Sequence, residues 1–256
     1  MVTSDPFTLL QVILLISGIL AIGRPTGNEW SSGDKIDLRL AEGESLAVLG
    51  RNGTGKTTLL NTIIGVTRHR GGTIELGGRN LTRMRPDKRA IAGIGWVPQE
   101  RNIFKSLTVE ENLAAIARPG PWTIQRVYEM FPRLKERRSN LGNRLSGGEQ
   151  QMLAVGRALV LNPKLMLLDE PTEGLAPIII EELLSALKRI IRNEGLSAIV
   201  VEQHAQKILG VTDQALILDR GSIVHASSSR SLIDDPSPLE QHLGVTDQKR
   251  GHVAHH

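Results

Sequence analysis

The sequence lacks cysteine, has few aromatic residues and carries a small net charge. The absence of cysteine among 256 residues excludes a disulfide scaffold, cysteine-ligated zinc or iron–sulfur sites and thiol catalysis. One Tyr, three Phe and three Trp give no aromatic-rich surface of the kind that binds nucleic acid. The length predicts one large domain, or one domain with a subdomain, that buries a full hydrophobic core.

A long apolar run is also missing. The longest, 9–22, has 14 residues, whereas a transmembrane helix needs about 20. A signal peptide is not expected, because no Lys or Arg precedes the run. We interpret the run as a buried strand or core segment, and we expect the chain itself not to be a membrane protein.

The net charge of +4 is unevenly distributed. Two stretches, 68–89 and 118–144, each contain seven basic against two acidic residues. Such stretches can contact phosphates, anionic lipid or an acidic partner, and they can equally form a solvated face. Both interpretations stay open at this point.

Short apolar runs alternate with segments of helical periodicity. Strands are predicted at 45–50, 71–78, 94–98, 165–168, 197–201, 216–219 and 222–225, with helices from Lys56, within 107–160 and over 178–192. Runs buried on both faces are typical of parallel strands. The pattern predicts an α/β fold with a mostly parallel core sheet, antiparallel strands and a helical subdomain.

The segment GRNGTGKT matches G-x-x-x-x-G-K-[ST] between a predicted strand and a predicted helix, the context that this phosphate-binding motif requires. Backbone N–H groups, the helix N-terminus and the lysine can surround a phosphate chain, and the threonine hydroxyl can bind Mg²⁺. The candidate ligand-binding residues are Gly50, Arg51, Asn52, Gly53, Thr54, Gly55, Lys56, Thr57 and the following Thr58.

Two carboxylates end the apolar run LMLLDE. Asp169 and Glu170 should lie at the carboxyl edge of the sheet, where open α/β folds bind ligands. Asp169 is the candidate that holds Mg²⁺ through water, and Glu170 the candidate that polarises an attacking water. This pair favours hydrolysis over transfer to a substrate. Two acids capping a surface loop are the alternative.

A third motif, LSGGEQ at 145–150, precedes the aspartate strand. Together with the phosphate loop and LLDEPTEGL it resembles the nucleotide-binding subunit of an ATP-binding cassette (ABC) transporter, over roughly 38–245. Gln99 in WVPQ resembles the family's Q-loop glutamine, and His204 in VVEQH its switch histidine. The segment 173–176 occupies the position of its D-loop.

This resemblance implies a P-loop ABC-type ATPase fold, ATP and Mg²⁺ as ligands, and a head-to-tail dimer. ATP on the phosphate loop of one subunit would be covered by a signature helix of the other that starts near Glu149. The covering residues would be Ser146, Gly147, Gly148 and Glu149. It also implies that Gln99 contacts Mg²⁺ and the γ-phosphate, while His204 holds the γ-phosphate beside Glu170.

The implied partners are a second ATPase subunit, either another copy or a paralogue, and two membrane-spanning permease subunits, with a periplasmic solute-binding protein involved indirectly. The implied location is the cytoplasmic face of a bacterial inner membrane. Arg101, Phe104 and Lys105 would neighbour the permease. The strings LLDEPTEGLAP, PQERNIFKSLTVEENL and VVEQH resemble ATPases of importers for branched-chain amino acids, urea or short-chain amides.

The alternative class is a soluble ABC ATPase that acts on nucleic acid or ribosomes. Such proteins usually carry two cassettes or long coiled coils, for which 256 residues leave no room, so no nucleic-acid partner is expected. A P-loop kinase would not need LSGGEQ.

The amino-terminal part departs from the family. No aromatic residue occupies 20–25, where an adenine-stacking side chain is expected, and Trp30 is the nearest candidate, with an ordinary core or surface tryptophan as the alternative. Residues 10–36 do not resemble the family's opening hairpin. Either adenine stacks elsewhere, or the altered segment leaves an impaired subunit. We therefore divide the chain into an atypical segment 1–37, where the family's first strands are expected, an ATPase domain 38–248 with a helical subdomain at about 100–162, and a flexible tail 249–256.

Overall fold

The computed structural model describes residues 14–19, 35–67 and 71–244, and gives the backbone alone for 14–19 and Lys35. Trp30, the window 20–25 and the tail 249–256 lie outside the described residues. Among the described residues, no helix has the length and apolar character needed to cross a bilayer.

Ten strands and ten helices make up the described part of the chain. The strands are β1 (Leu14–Ile19), β2 (Lys35–Leu40), β3 (Ser45–Leu49), β4 (Thr73–Leu76), β5 (Arg79–Asn80), β6 (Ile94–Val97), β7 (Leu165–Asp169), β8 (Ser197–Glu202), β9 (Gln214–Asp219) and β10 (Ser222–Ser228). The helices are α1 (Lys56–Ile64), α2 (Pro86–Ala92), α3 (Val109–Ala114), α4 (Ile124–Met130), α5 (Pro132–Glu136), α6 (Gly147–Leu159), α7 (Pro177–Lys188), α8 (Ala205–Ile208), α9 (Ser229–Asp234) and α10 (Ser237–Leu243). A 3₁₀ turn at Gly142–Arg144 and a π turn at Arg189–Asn193 complete them.

The core sheet has six strands in the order β10-β9-β3-β8-β7-β6. All neighbouring pairs are parallel except the terminal hairpin of β9 and β10. Because parallel strands share one direction, the segments that follow β3, β6, β7 and β8 emerge at the same edge. The predicted mostly parallel sheet and its terminal hairpin are confirmed.

Alternate residues of the central strands pack on opposite sides of this sheet. In β7, Leu165 and Leu167 join a cluster with α1, whereas Met166 and Leu168 join a larger cluster with the helices α3 to α7. Every residue of β7 and β8 is buried. Burial on both faces explains why these strands appear in the sequence as continuous apolar runs.

A second, four-stranded antiparallel sheet has the order β2-β1-β4-β5. Residues 10–36 do not resemble the family's opening hairpin in sequence, yet β1 pairs antiparallel with β2, from Leu14 opposite Leu40 to Ile19 opposite Lys35. Residues 14–19 therefore form a strand of this sheet despite their atypical sequence. Within the apolar run 9–22, which we interpret as a buried strand or core segment, residues 14–19 form a strand. The apolar and β-branched residues of the run favour extended structure.

The helices α3 to α6 are inserted between β6 and β7, which is the helical subdomain that the sequence predicts. Asn162, which follows α6, is bonded to the connection between α3 and α4, because its side chain accepts the Trp122 N–H at 2.7 Å and donates to the Arg118 carbonyl at 2.8 Å. The Thr108 side chain caps α3 in a reciprocal capping box with Glu111.

Arg89 shows that the basic stretch 68–89 is only partly a surface feature. Its side chain is 3% exposed and donates to four carbonyl oxygens, including those of Thr62 and Ile63, both at 2.7 Å, in the last turn of α1. A cation at a helix C-terminus satisfies free carbonyl groups and interacts favourably with the negative end of the helix dipole. Burial lowers the pKa of this guanidinium.

Candidate functional site

The phosphate loop connects the end of β3 to the start of α1. Gly55, which immediately precedes α1, has a φ of 104°, a left-handed conformation that favours glycine. Lys56 Nζ donates to the carbonyl oxygens of Gly50 at 2.9 Å and Arg51 at 3.0 Å. The loop therefore curves around the lysine ammonium at the carboxyl edge of the sheet.

The structure brings the carboxylate pair to this loop. Asp169 is the last residue of β7, and its Oδ1 accepts the Thr57 hydroxyl at 3.2 Å. Glu170 follows, with its Oε1 at 3.6 Å from Lys56 Nζ. The phosphate-loop residues and the two acids, which the sequence separates by more than 100 positions, thus form one site.

Asp169 is only 2% exposed, and this burial raises the pKa of its carboxyl to about 6. Hydrogen bonding from Thr57 and the charge of Lys56 oppose the rise, while the charge of Glu170 adds to it. The folded protein therefore holds a proton on Asp169 more tightly than the unfolded chain does. As pH rises from 3.8 to about 6, the Asp169 carboxyl ionises in the unfolded chain but stays protonated in the folded protein. The free energy of unfolding therefore falls over this pH range.

We expect the Asp169→Asn variant, in the absence of nucleotide and metal, to gain stability relative to the original protein as pH rises from about 4 to about 7. Asparagine keeps an oxygen that accepts the Thr57 hydroxyl but cannot ionise. The relative gain should reach about 2–3 kcal/mol, measured by urea unfolding at several pH values. A stability difference that stays constant over this range would contradict the raised pKa.

Thr57 and Asp169 fit a Mg²⁺ site by the chemistry of their donor atoms. A hydroxyl and a carboxylate oxygen lie 3.2 Å apart, and Mg²⁺ prefers hard oxygen ligands of these kinds. Gln99, the third candidate for the metal, follows β6 but is exposed, and its Nε2 donates to the Glu173 carboxylate. The structure therefore brings Thr57 and Asp169 together, whereas Gln99, on the loop after β6, is bonded to Glu173 on the loop after β7.

His204 and its neighbour Gln203 follow β8 at the same edge. His204 is exposed and precedes α8, and within the described chain it is Gln203 that bonds to Glu170. Gln203 Nε2 donates to Glu170 Oε1 at 3.2 Å and to Oε2 at 3.0 Å. Sequence reasoning missed this residue, for which adjacency to His204 was the only signal.

The signature helix α6 begins at Gly147, so the predicted start near Glu149 is wrong by two residues. The cause is a capping box: the Glu149 N–H donates to Ser146 Oγ at 3.3 Å, and the Ser146 N–H donates to Glu149 Oε2 at 2.7 Å. Burial opposes ionisation of Glu149, but these bonds and the nearby Arg137 hold its pKa below the usual value. The Glu149 carboxylate therefore stabilises the helix start.

Gly148 packs against α7. A side chain at this position would place its Cβ 2.5 Å from Ile179 Cγ2, closer than real Cβ contacts, so only glycine fits without movement. Ser146 and Gly147 are exposed. Within the described residues, no hydrogen bond or ion pair joins 50–58 to 146–149.

The residues expected to neighbour the permease, Arg101, Phe104 and Lys105, follow Gln99 on the loop after β6. A cavity of about 350 Å³ is lined mostly by 99–105. Arg101 is engaged within the chain, because its Nε donates to Gln151 Oε1 at 3.1 Å and its Nη2 lies 3.5 Å from the Glu173 carbonyl. Phe104 is 43% exposed, and Lys105 is exposed as well.

Part of the basic stretch 118–144 is paired within the chain. Arg126 pairs with Glu194, Arg133 with Glu182 at 2.7 Å, and Arg137 with Glu149 at 3.4 Å. These pairs reduce the positive charge that the stretch offers to lipid or an acidic partner.

Comparisons with known proteins agree with this geometry. A family model described as ABC transporter matches residues 34–173. A branched-chain amino acid transport ATP-binding protein of Pseudomonas aeruginosa, BraG, is 40% identical over 214 residues, which are 82% of this chain and 91% of BraG. The lipopolysaccharide export ATP-binding protein LptB of Haemophilus influenzae is 35% identical over 219 residues, 82% of this chain and 89% of LptB.

Among solved structures, a dimeric ATP-binding cassette in a post-hydrolysis state with ADP and Pi has a TM-score of 0.72 at 24% identity. The match covers 85% of this chain and 99% of the cassette. This likeness confirms the fold that the sequence predicts.

Proposed function

The chain belongs to the ABC transporter family as an ATP-hydrolysing subunit, and from this premise we propose that it powers an importer for branched-chain amino acids or a related small polar solute. One observation carries the chemistry: Thr57 and Lys56 of the phosphate loop meet Asp169 and Glu170 at the sheet edge, at 3.2 Å and 3.6 Å respectively.

The proposed site assigns binding and proton transfer to separate groups. The loop from Gly50 to Thr58 holds the phosphate chain of ATP through its N–H groups and the Lys56 ammonium. Thr57 and Asp169 hold Mg²⁺, which when bound neutralises phosphate charge. Glu170 directly follows Asp169 in the sequence, and its carboxylate orients and deprotonates the attacking water. Gln99 and His204 serve as the γ-phosphate and metal contacts in the nucleotide-bound dimer.

We propose a head-to-tail dimer as the working unit. The exposed Ser146 and Gly147 open a helix whose N-terminus suits an anion, and among the described residues no hydrogen bond joins them to the phosphate loop of the same chain. In a pair they would cover the nucleotide on the partner's loop. Each chain carries both halves of such a site, so two copies suffice, and a paralogue with the same motifs can replace one of them.

We place the pair on the cytoplasmic face of a bacterial inner membrane, with two permease subunits seated near the cavity at 99–105. The exposed Phe104 and Lys105 supply an apolar and a basic contact there. The domain boundaries 38–248 and about 100–162 remain part of this proposal, as does an indirect link to a periplasmic solute-binding protein.

The cargo is inferred from BraG, at 40% identity, together with the strings LLDEPTEGLAP and VVEQH. LptB, at 35% identity, supports a second candidate, an ATPase of lipopolysaccharide export. The ATPase subunit does not contact cargo in either case, so the two candidates differ in their permease partners.

Uptake assays on a strain deleted for this gene separate the two candidates. We expect loss of radiolabelled leucine, isoleucine and valine uptake, with restoration by the original gene and no restoration by the Glu170→Gln variant. Glucose uptake is the internal control. Normal uptake of all three amino acids, with lipopolysaccharide accumulating at the inner membrane, would contradict the importer and favour the export candidate.

A further inference from the structure

Glu170 contacts an uncharged side chain that the proposed mechanism does not use. We propose that Gln203 is a positioning residue that holds the Glu170 carboxylate in the orientation needed to activate water. This inference rests on the proposed function, because it assumes that Glu170 is the catalytic carboxylate.

The contact itself is direct. One amide nitrogen of Gln203 donates to both Glu170 oxygens, at 3.2 Å and 3.0 Å. Glu170 is 8% exposed, and Gln203 is half-buried, so water competes weakly for the bond. Hydrogen bonds to an ionised acceptor are stronger than those between neutral groups, and this one restricts the side-chain torsions of Glu170.

The backbone of Glu170 is fixed independently of this contact. Its φ is +46°, a left-handed conformation that is strained for a non-glycine residue. Two bonds maintain it: the Glu170 N–H donates to the Val201 carbonyl at 3.0 Å, and the Glu173 N–H donates to the Glu170 carbonyl at 3.1 Å. The main chain is thus held, and the side chain still needs an anchor.

The position of Gln203 is also fixed. It follows Glu202, the last residue of β8, whose buried carboxylate accepts the Thr172 hydroxyl at 2.6 Å and the Thr172 N–H at 3.1 Å. This contact joins the end of β8 to the loop that starts at Glu170. Both sides of the Gln203–Glu170 bond are therefore attached to the same rigid sheet edge.

Lys56 cannot serve as the lasting anchor. Its ammonium also bonds to two carbonyl oxygens of the phosphate loop, and in the proposed mechanism it serves the phosphates. Gln203 carries no charge and has no phosphate to bind, so it can keep Glu170 oriented while Lys56 contacts ATP.

The test compares two substitutions at position 203 with a control substitution elsewhere. Gln203→Met keeps the side-chain length and removes the N–H donor, so kcat for ATP hydrolysis should fall about 10- to 100-fold, with KM for ATP nearly unchanged. Gln203→Asn keeps an uncharged amide donor on a shorter side chain and should retain part of the kcat that Gln203→Met loses. The matched control is Gln241→Met, at an exposed position of α10, which should leave kcat unchanged.

A double variant distinguishes positioning of Glu170 from other effects. In a Glu170→Gln background, Gln203→Met should cause no further loss, because the group that it orients is already gone. Equal kcat for Gln203→Met and the original protein, or loss of kcat in Gln203→Asn as large as in Gln203→Met, would overturn the inference while leaving the proposed function intact. Full turnover by Glu170→Gln alone would instead contradict the proposed function.

Discussion

The Glu170→Gln variant is expected to bind ATP with nearly unchanged affinity while its turnover falls by about 10²- to 10⁴-fold, the range typical of a lost general base. Glutamine has the same shape but cannot take a proton from water. It retains an oxygen that can accept the Gln203 amide hydrogen and lacks the negative charge that faces Lys56 at 3.6 Å.

Two measurements check this expectation on the same purified protein: ATP affinity by equilibrium titration, and phosphate release at saturating Mg²⁺-ATP. Glu110→Gln, which changes an exposed carboxylate of α3, is the matched control and should hydrolyse ATP normally. Turnover by Glu170→Gln within a factor of two of the original protein would rule out Glu170 as the catalytic carboxylate.

The Lys56→Ala variant should lose affinity and turnover together. Lys56 is 4% exposed and points its ammonium at the centre of the phosphate loop. Removing a charged donor from a bound phosphate costs about 1.5–3 kcal/mol, so ATP affinity should fall about 10- to 100-fold and turnover at least as much.

The same titration and phosphate-release assay measure the loss, with Lys88→Ala in α2 as an exposed control. The contrast with Glu170→Gln is informative, because one substitution separates binding from hydrolysis and the other impairs both. An unchanged ATP affinity in Lys56→Ala would show that the loop does not bind phosphate through this lysine.

The phosphate loop and the acids after β7 could be predicted because their signals are local and their meeting follows from topology. Each motif lies at the end of an apolar run, and parallel strands necessarily present those ends at one edge. Residues 165–168 of β7 and 198–201 of β8 are all apolar because the sheet is covered on both faces. Sequence pattern and strand direction are therefore sufficient to predict these features.

Side-chain positions within loops could not be predicted in this way. Gln99 and Gln203 each stand at a strand end, yet one turns to Glu173 and the other to Glu170. That choice depends on loop conformation and on which acceptor lies within reach. The start of α6 was misplaced for a similar reason, since a capping box forms only when both partners adopt the cap geometry.

Arg89 illustrates how composition can mislead. A basic residue in a charge-rich stretch is ordinarily exposed, but this one folds under the end of α1 and satisfies its carbonyl groups. The need arises from tertiary packing of α1 against α2, which composition does not reveal.

The shared nucleotide site is tested most directly by sedimentation of the Glu170→Gln variant in saturating Mg²⁺-ATP, with the bound nucleotide quantified. We expect a two-chain species that retains two ATP. Adding Ser146→Arg should return the protein to single chains, because the signature would no longer cover the partner's nucleotide. Single chains that retain ATP regardless of the residue at position 146 would contradict the shared site.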